Sequence, residues 1–335
     1  MSNNETRDRR FFHSFPRPKK DEPEDATLDR GLRILTLMKQ AGLVLAPEIV
    51  KWNMSALGAK DFSVLQRRAS FTELHLNELG AHGRVFGPIA LSFDIAKLRG
   101  AGATPVIYVP QGSAENPLSL IALFCVNGAY HTKYVLSQLQ QLKQVTDPAM
   151  AIELLKRPLA PGCTVKLANT DPAGNVVAEY TVLADDIRHV LQHVGFNNIP
   201  FDHSAGVLGA FLNMFYPTDN PYTNDQLGYY RQREWRLIGD NVNIKGRPIS
   251  RGLSAPEVGR LEQIDPEFWA RELTADGVQR RRSELALLYD PLPDWDFLDL
   301  VEEIFVPQGA TDLVRAIVGD KIAVSPQPAF RGSTT

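Results

Sequence analysis

Cysteine is nearly missing from this chain: Cys125 and Cys163 are the two thiols in 335 residues. So few exclude a disulfide framework and a cysteine-built zinc site, and they suit a reducing compartment. Long apolar runs are missing as well, and none approaches the eighteen or so residues that a membrane helix needs. The opening stretch MSNNETRDRR lacks the apolar core of a secretory leader. The expectation is a cytoplasmic protein that does not enter the membrane. Net charge is also small, -3 with His neutral, so no global attraction draws the chain to nucleic acid. Glycine-rich phosphate loops are the last absence: neither a P-loop nor a G-x-G-x-x-G fingerprint occurs. A nucleotide, if one is used, is held by other devices.

What is present is the composition of a folded protein, 44% hydrophobic and 22% charged. The length suffices for one large domain or two small ones. Basic residues gather at 7–20, and the acidic runs DEPED (21–25) and DWDFLDLVEE (294–303) read as solvated surface. RFFHSF (10–15), ASFTEL (69–74), IALSF (89–93) and PVIYV (105–109) read as strands. ATLDRGLRILTLMKQAG reads as an amphipathic helix with Thr27 as N-cap and Gly42 as its stop. His75 to His82 reads as a short helix ended by Gly83, 114–148 as helical, and DDIRHVLQHV and DWDFLDLVEEIF as helices. VLGAFLNMFY reads as a strand or a helix end. Two alternating runs flank DPAGN, predicting a hairpin near 160–185 within an insertion of about 114–200. Short, half-buried strands alternating irregularly with helices predict the α+β class. The expected organisation is an arm at 1–9, one domain over 10–325 and a tail at 326–335.

Few residues suggest chemistry. His189 and His193 stand at i,i+4, but Val190 occupies the place of the zinc-protease glutamate, so they read as surface histidines and no metal is expected. Ser204 in DHSAG lacks the setting of a nucleophile elbow. YYRQREWRLIGD (229–240) is more informative. Period-two alternation puts Gln232, Glu234 and Arg236 on one face of a strand. That row is either a solvated face with a Glu–Arg pair or a glutamate placed to hydrogen-bond a sugar hydroxyl and stabilise an oxocarbenium-like transition state.

FFHSF (11–15), GLRILTLMKQAG, SFTELHLNELGAHGRVFGPIALSFDIAKLRGAGATPVIYV (70–109), FLNMFYP (211–217) and YYRQREWRLI (229–238) stand in the order of the AbiGi abortive-infection family, which the chain resembles over about 10–110 and 205–240. The matching positions are His13, Ser70 to Glu73, His82, Phe86–Gly87, Pro105 to Tyr108, Phe215 to Pro217 and Gln232 to Arg236. Gln232 stands where the family has an acidic residue, Phe86 replaces a tyrosine and IALSF loosely replaces Gly-Ile-Gly. The resemblance implies phage resistance and a place in a toxin–antitoxin pair, on the antitoxin side. A fainter similarity links His13, the Ser70–Thr72 pair and Gln232–Glu234 to ADP-ribosyltransferases. The helix with its Gly42 stop resembles the DNA-modifying DarT branch.

That second resemblance implies a split mixed or antiparallel sheet that holds NAD without a Rossmann motif. It assigns His13 to a ribose or the carboxamide side of NAD, Ser70 and Thr72 to the nicotinamide pocket, and Phe71 or Tyr108 to ring stacking. Glu234 would take the ribose 2′-hydroxyl and stabilise the transition state, Gln232 would orient the acceptor, and Arg236 would meet a phosphate or pair with Glu234. The expected partners are a nucleic-acid or protein substrate and a cognate toxin, antitoxin or phage protein. The rival expectations are a non-enzymatic antitoxin or sensor and, last, a nucleic-acid binder using the 7–20 arm.

Overall fold

The computed structural model describes residues 9–109, 111, 120–133, 164–183, 201–217, 233–239, 243–244, 247–275, 278–289 and 297–328. β1 (Arg9–Phe15) is followed by α1 (Glu24–Ala41), which ends where Gly42 takes a left-handed φ of 102°. Pro23, not Thr27, holds the N-cap position of α1. Thr27 is buried in the first turn with its hydroxyl on Glu22 and the Pro23 carbonyl, so its side chain is engaged inside the helix rather than at its start.

Two long strands follow, β2 (Leu43–Trp52) and β3 (Phe62–His75), then α2 (Leu79–Phe86) and β4 (Ile89–Phe93). Next come α3 (Ile95–Gly100), β5 (Thr104–Pro105), β6 (Ile107–Val109) and helix α4 at 120–133. The hairpin expected around DPAGN is β7 (Thr164–Thr170) with β8 (Val176–Leu183). Then come α5 (Phe201–Leu212), β9 (Phe215–Pro217), β10 (Glu234–Ile238), β11 (Asn243–Ile244), β12 (Arg247–Pro248) and β13 (Ser250–Gly252). The last part holds α6 (Ala255–Ile264), α7 (Pro266–Trp269), β14 (Glu272–Ala275), β15 (Val278–Arg281), α8 (Arg282–Leu285) and β16 (Leu287–Tyr289). It closes with β17 (Val301–Val306), α9 (Thr311–Val318) and β18 (Ala323–Pro326).

Ten strands form one sheet in the order β13-β16-β2-β3-β1-β4-β17-β18, with β10 on β3 and β5 on β10. The β17–β18 pair is parallel and the other pairs of this sheet are antiparallel, so the sheet is mixed and helices flank it, in keeping with the α+β expectation. One face carries the main core, where Phe11, Phe15, Phe71, Leu91, Phe93, Leu237 and Ile304 meet Leu35 and Met38 of α1 and Val314 of α9. Each such side chain stabilises the fold by roughly 1.5–3 kcal/mol through burial. On the other face Leu79 of α2 packs on Phe12, Ala90 and Phe305.

Two expected helices differ. The stretch from His75 is a 3-10 turn (Leu76–Glu78) and then α2, which Gly87 rather than Gly83 terminates. Gly87 has φ 135°, and a Cβ there would lie 2.3 Å from the Phe15 carbonyl carbon, so only glycine lets the two backbones meet. DWDFLDLVEEIF is not a helix: Phe297–Leu300 make a 3-10 turn and Val301–Val306 are β17, while 294–296 lie outside the described residues. Every residue of β4 is buried, so its second edge requires a strand to satisfy its backbone, and β17 supplies it. Its acidic surface reading also fails in part, since Phe297, Leu298, Leu300 and Val301 are buried.

The chain divides into two compact units, Met1–Val126 with Ala210–Thr335, and Asn127–Gly209, the second falling largely within the expected insertion. Residues 1–8 of the expected arm, 329–335 of the tail, 134–163 and the helix expected at DDIRHVLQHV lie outside the described residues, with His189, His193 and Cys163. No helix among the described residues is long and apolar enough to cross a membrane.

Candidate active site

β3 is the strand on which the candidate residues meet. Alternation puts Gln66, Arg68, Ser70 and Thr72 on one face and Ala69 and Phe71 on the other. The register carries that polar face across the sheet. Glu234 lies opposite Thr72, Arg236 opposite Ser70, Thr104 opposite Arg236, and Glu48 of β2 opposite Gln66. β6 and β9 pair in parallel with Tyr108 opposite Tyr216, and both phenol hydroxyls reach this row.

Glu234 is its centre. Arg236 Nε donates to Glu234 Oε1 at 2.8 Å and Nη2 to Oε2 at 3.3 Å, a two-point grip from a guanidinium only 1% exposed. Tyr108 donates its hydroxyl to Oε2 at 2.6 Å, and Ser70 adds a side-chain hydrogen bond. Burial pushes the Glu234 carboxyl up, but the Arg236 charge and the bonds from Arg236, Ser70 and Tyr108 more than reverse this and hold it below its ordinary range. Glu234 is therefore a fixed anion. Burial, then the Glu234 charge, pushes the Tyr108 phenol up, so it remains a donor. Opposite Arg236, the Thr104 hydroxyl is buried with no hydrogen-bond partner, a polar atom facing the pair.

A second carboxylate joins through Gln66, which is fully buried. Its Oε1 accepts from Arg236 Nη1 at 3.3 Å and from Arg68 Nη1, while its amide donates to the Phe215 carbonyl at 3.1 Å. Arg68 pairs with Glu48, and Tyr216 donates to Glu48 at 3.3 Å. Burial, then the neighbouring Arg236 charge, lowers the Arg68 pKa, and Glu48 and Glu234 oppose that. Glu48, Gln66 and Arg68 do not figure among the residues singled out by sequence, and Tyr216 figures there only as part of the Phe215 to Pro217 match, with no role assigned. LVLAPEIVKW has Pro47 in its middle and no clean alternation, and what marks Glu48 is its pairing opposite Gln66, which the sequence does not carry.

The expected set assembles only in part. Ser70, Thr72, Tyr108, Glu234 and Arg236 share the face. His13 does not. Phe12 is the residue opposite Thr72, so His13 points to the core side, between Phe15 and Phe71. Its Nδ1 lies 2.9 Å from the Ser70 carbonyl, and since a carbonyl only accepts, Nδ1 carries the proton. Burial lowers the His13 pKa against that bond, so the ring is neutral. Phe71 is fully buried edge-on to Phe93 and cannot stack on a ligand, which leaves Tyr108 for that part. Arg236 is held by Glu234 and Gln66, so it is committed to the pair rather than open to a phosphate. Gln232 lies outside the described residues; the strand itself is Glu234–Ile238, preceded by Arg233 at φ 42°.

The basic 7–20 segment is partly consumed internally: Arg10 pairs with Glu303, Arg17 lies over Phe86, and Lys19 reaches Asp265 and Glu267. No group of three or more His, Cys, Asp or Glu side chains able to hold a metal occurs among the described residues. A cavity of about 190 Å³ at Trp52 and Phe62 sits at the far end of β3 from Thr72. Comparison of the chain with protein-family models, curated proteins and solved structures gives no match.

Proposed function

We propose that this chain is a cytoplasmic bacterial anti-phage protein of the abortive-infection type, an ADP-ribosyltransferase-like enzyme that uses NAD as substrate and modifies nucleic acid or protein. One observation carries the reading: a fixed anionic Glu234, gripped by Arg236, Tyr108 and Ser70 on a sheet face that also bears Thr72. A pre-oriented carboxylate of this kind lowers the barrier for a cation forming at a sugar C1′. The nicotinamide C1′–N bond would break with its electron pair staying on the nicotinamide nitrogen. The acceptor lone pair would then bond to C1′, and the acceptor proton would leave to solvent. Glu234 would receive the ribose 2′-hydroxyl, Tyr108 would offer a ring, and His13 would act one step back, by fixing the Ser70 backbone. A β3 shared by β2, β1 and β10 supports a split-sheet reading of the fold.

Incubation with NAD labelled in the ADP-ribose part, together with DNA, RNA and protein extracts, tests this. Label transfer by the wild type and its loss in Glu234→Gln are expected; no transfer and no nicotinamide release by the wild type would overturn it. A second reading, a non-enzymatic antitoxin or sensor binding a partner protein, is favoured by how fully Glu234 is engaged by its neighbours. Equal phage protection by the wild type and Glu234→Gln decides for that reading.

A further inference from the structure

Glu48 is the more open of the two carboxylates on the polar face, its side chain 43% exposed against 11% for Glu234. One of its oxygens meets Arg68, and the other takes only the long Tyr216 bond of 3.3 Å. Arg68 and Arg236 flank the Tyr216 ring at 5.1 and 4.7 Å from its centroid, and Gln66 accepts from both. Tyr108 on Glu234 stands opposite Tyr216 on Glu48, and the Arg236–Gln66–Arg68 chain joins the two carboxylates, so a ligand anchored at Glu234 has Glu48 on the same polar face. Arg68 cannot turn to greet it, being 10% exposed and spent on Glu48 and Gln66. Arg282 also lies within reach of the Glu48 charge, but its guanidinium is seated over the Phe268 ring, and Arg68 and Arg236 are spent inside the cluster, so the exposed carboxylate is the group a ligand's end meets.

We infer that Glu48 sets ligand specificity: it accepts a hydrogen bond from an N–H end group and turns away a carboxylate. The inference rests on the NAD reading, where that end group is the nicotinamide carboxamide, with two N–H donors to offer. The deamido analogue, nicotinic acid adenine dinucleotide, differs there by carrying a carboxylate. Like charges across a contact oppose binding, and with solvent screening at a half-open site the discrimination comes to roughly tenfold or more.

Binding and cleavage of NAD and of its deamido analogue are to be measured for the wild type and Glu48→Gln. The wild type is expected to prefer NAD, and Glu48→Gln to bring the two substrates to near parity. A second measurement needs no variant: rising salt should shrink the wild-type preference as the repulsion is screened. A preference that survives both Glu48→Gln and high salt overturns the inference while leaving the NAD reading standing. A wild type that takes neither dinucleotide overturns that reading, and this inference falls with it.

Discussion

Arg236 is a guanidinium with almost no contact with water, and Glu234 is the charge that makes this tolerable. Removing one partner of such a pair leaves a buried charge uncompensated, which costs about 3–5 kcal/mol. Glu234→Ala should therefore lower the unfolding free energy by about that amount in a denaturant titration, and Glu234→Gln, which keeps an acceptor for Arg236, by clearly less. Equal effects would mean that Arg236 finds another counter-ion. At this scale much of the site was legible, because period two alone puts Glu234 with Arg236 and Ser70 with Thr72. What the period leaves open is which face of β1 meets which face of β3. His13 fell on the wrong side because the Phe12–Thr72 pairing is a property of the sheet, not of FFHSF. Glu48 escaped for the same reason: its significance comes from lying opposite Gln66.

At the scale of elements, local signals succeeded where they were self-contained and failed where neighbours decided. α1 with its Gly42 stop and the β7–β8 hairpin are written in spacing and turn chemistry. In FLDLVEEIF the apolar residues 297, 298, 300, 301, 304 and 305 have helical spacing, yet the open edge of β4 draws Val301–Val306 into the sheet. The end of α2 is likewise fixed from outside. Gly87 presses on the Phe15 backbone: a Cβ added there would stand 2.3, 2.5 and 2.6 Å from the Phe15 carbonyl carbon, oxygen and Cα. Gly87→Ala combines that clash with a φ of 135°, and on the order of 3 kcal/mol of lost stability is expected from thermal or chemical unfolding. Gly58→Ala serves as the control, since it has a positive φ but nothing within 4 Å of an added Cβ, and should lose less.

For the whole molecule the histidines set an acid limit. Burial first, then repulsion from the charge His13 takes on in acid, lowers His82 from 6.5 to about 4, with Glu78 opposing, and His13 is also lowered by burial. The unfolded chain thus binds protons that the native state refuses. Stability contributed by the neutral rings is complete above about pH 6.5 and declines as the pH falls towards 4. A second decline follows lower, as Glu22 and Glu257, each held near 2 chiefly by hydrogen bonds from Arg30 and Arg251, take up protons between their ordinary 4.5 and 2. His82→Phe retains a ring to stack on Phe86, now 4.3 Å away, and should flatten the upper decline in melting temperature without touching the lower one. An unchanged profile would show that His82 does not titrate in that window.

The central claim is that Glu234 acts on a glycosidic bond rather than merely neutralising Arg236. Nicotinamide release from NAD, followed for the wild type and Glu234→Gln at matched folded concentrations, tests it most directly. Release by the wild type that drops at least about a hundredfold in Glu234→Gln is the expected result. Equal release by the two, or none by the wild type, contradicts the claim and leaves Glu234 a structural partner of Arg236.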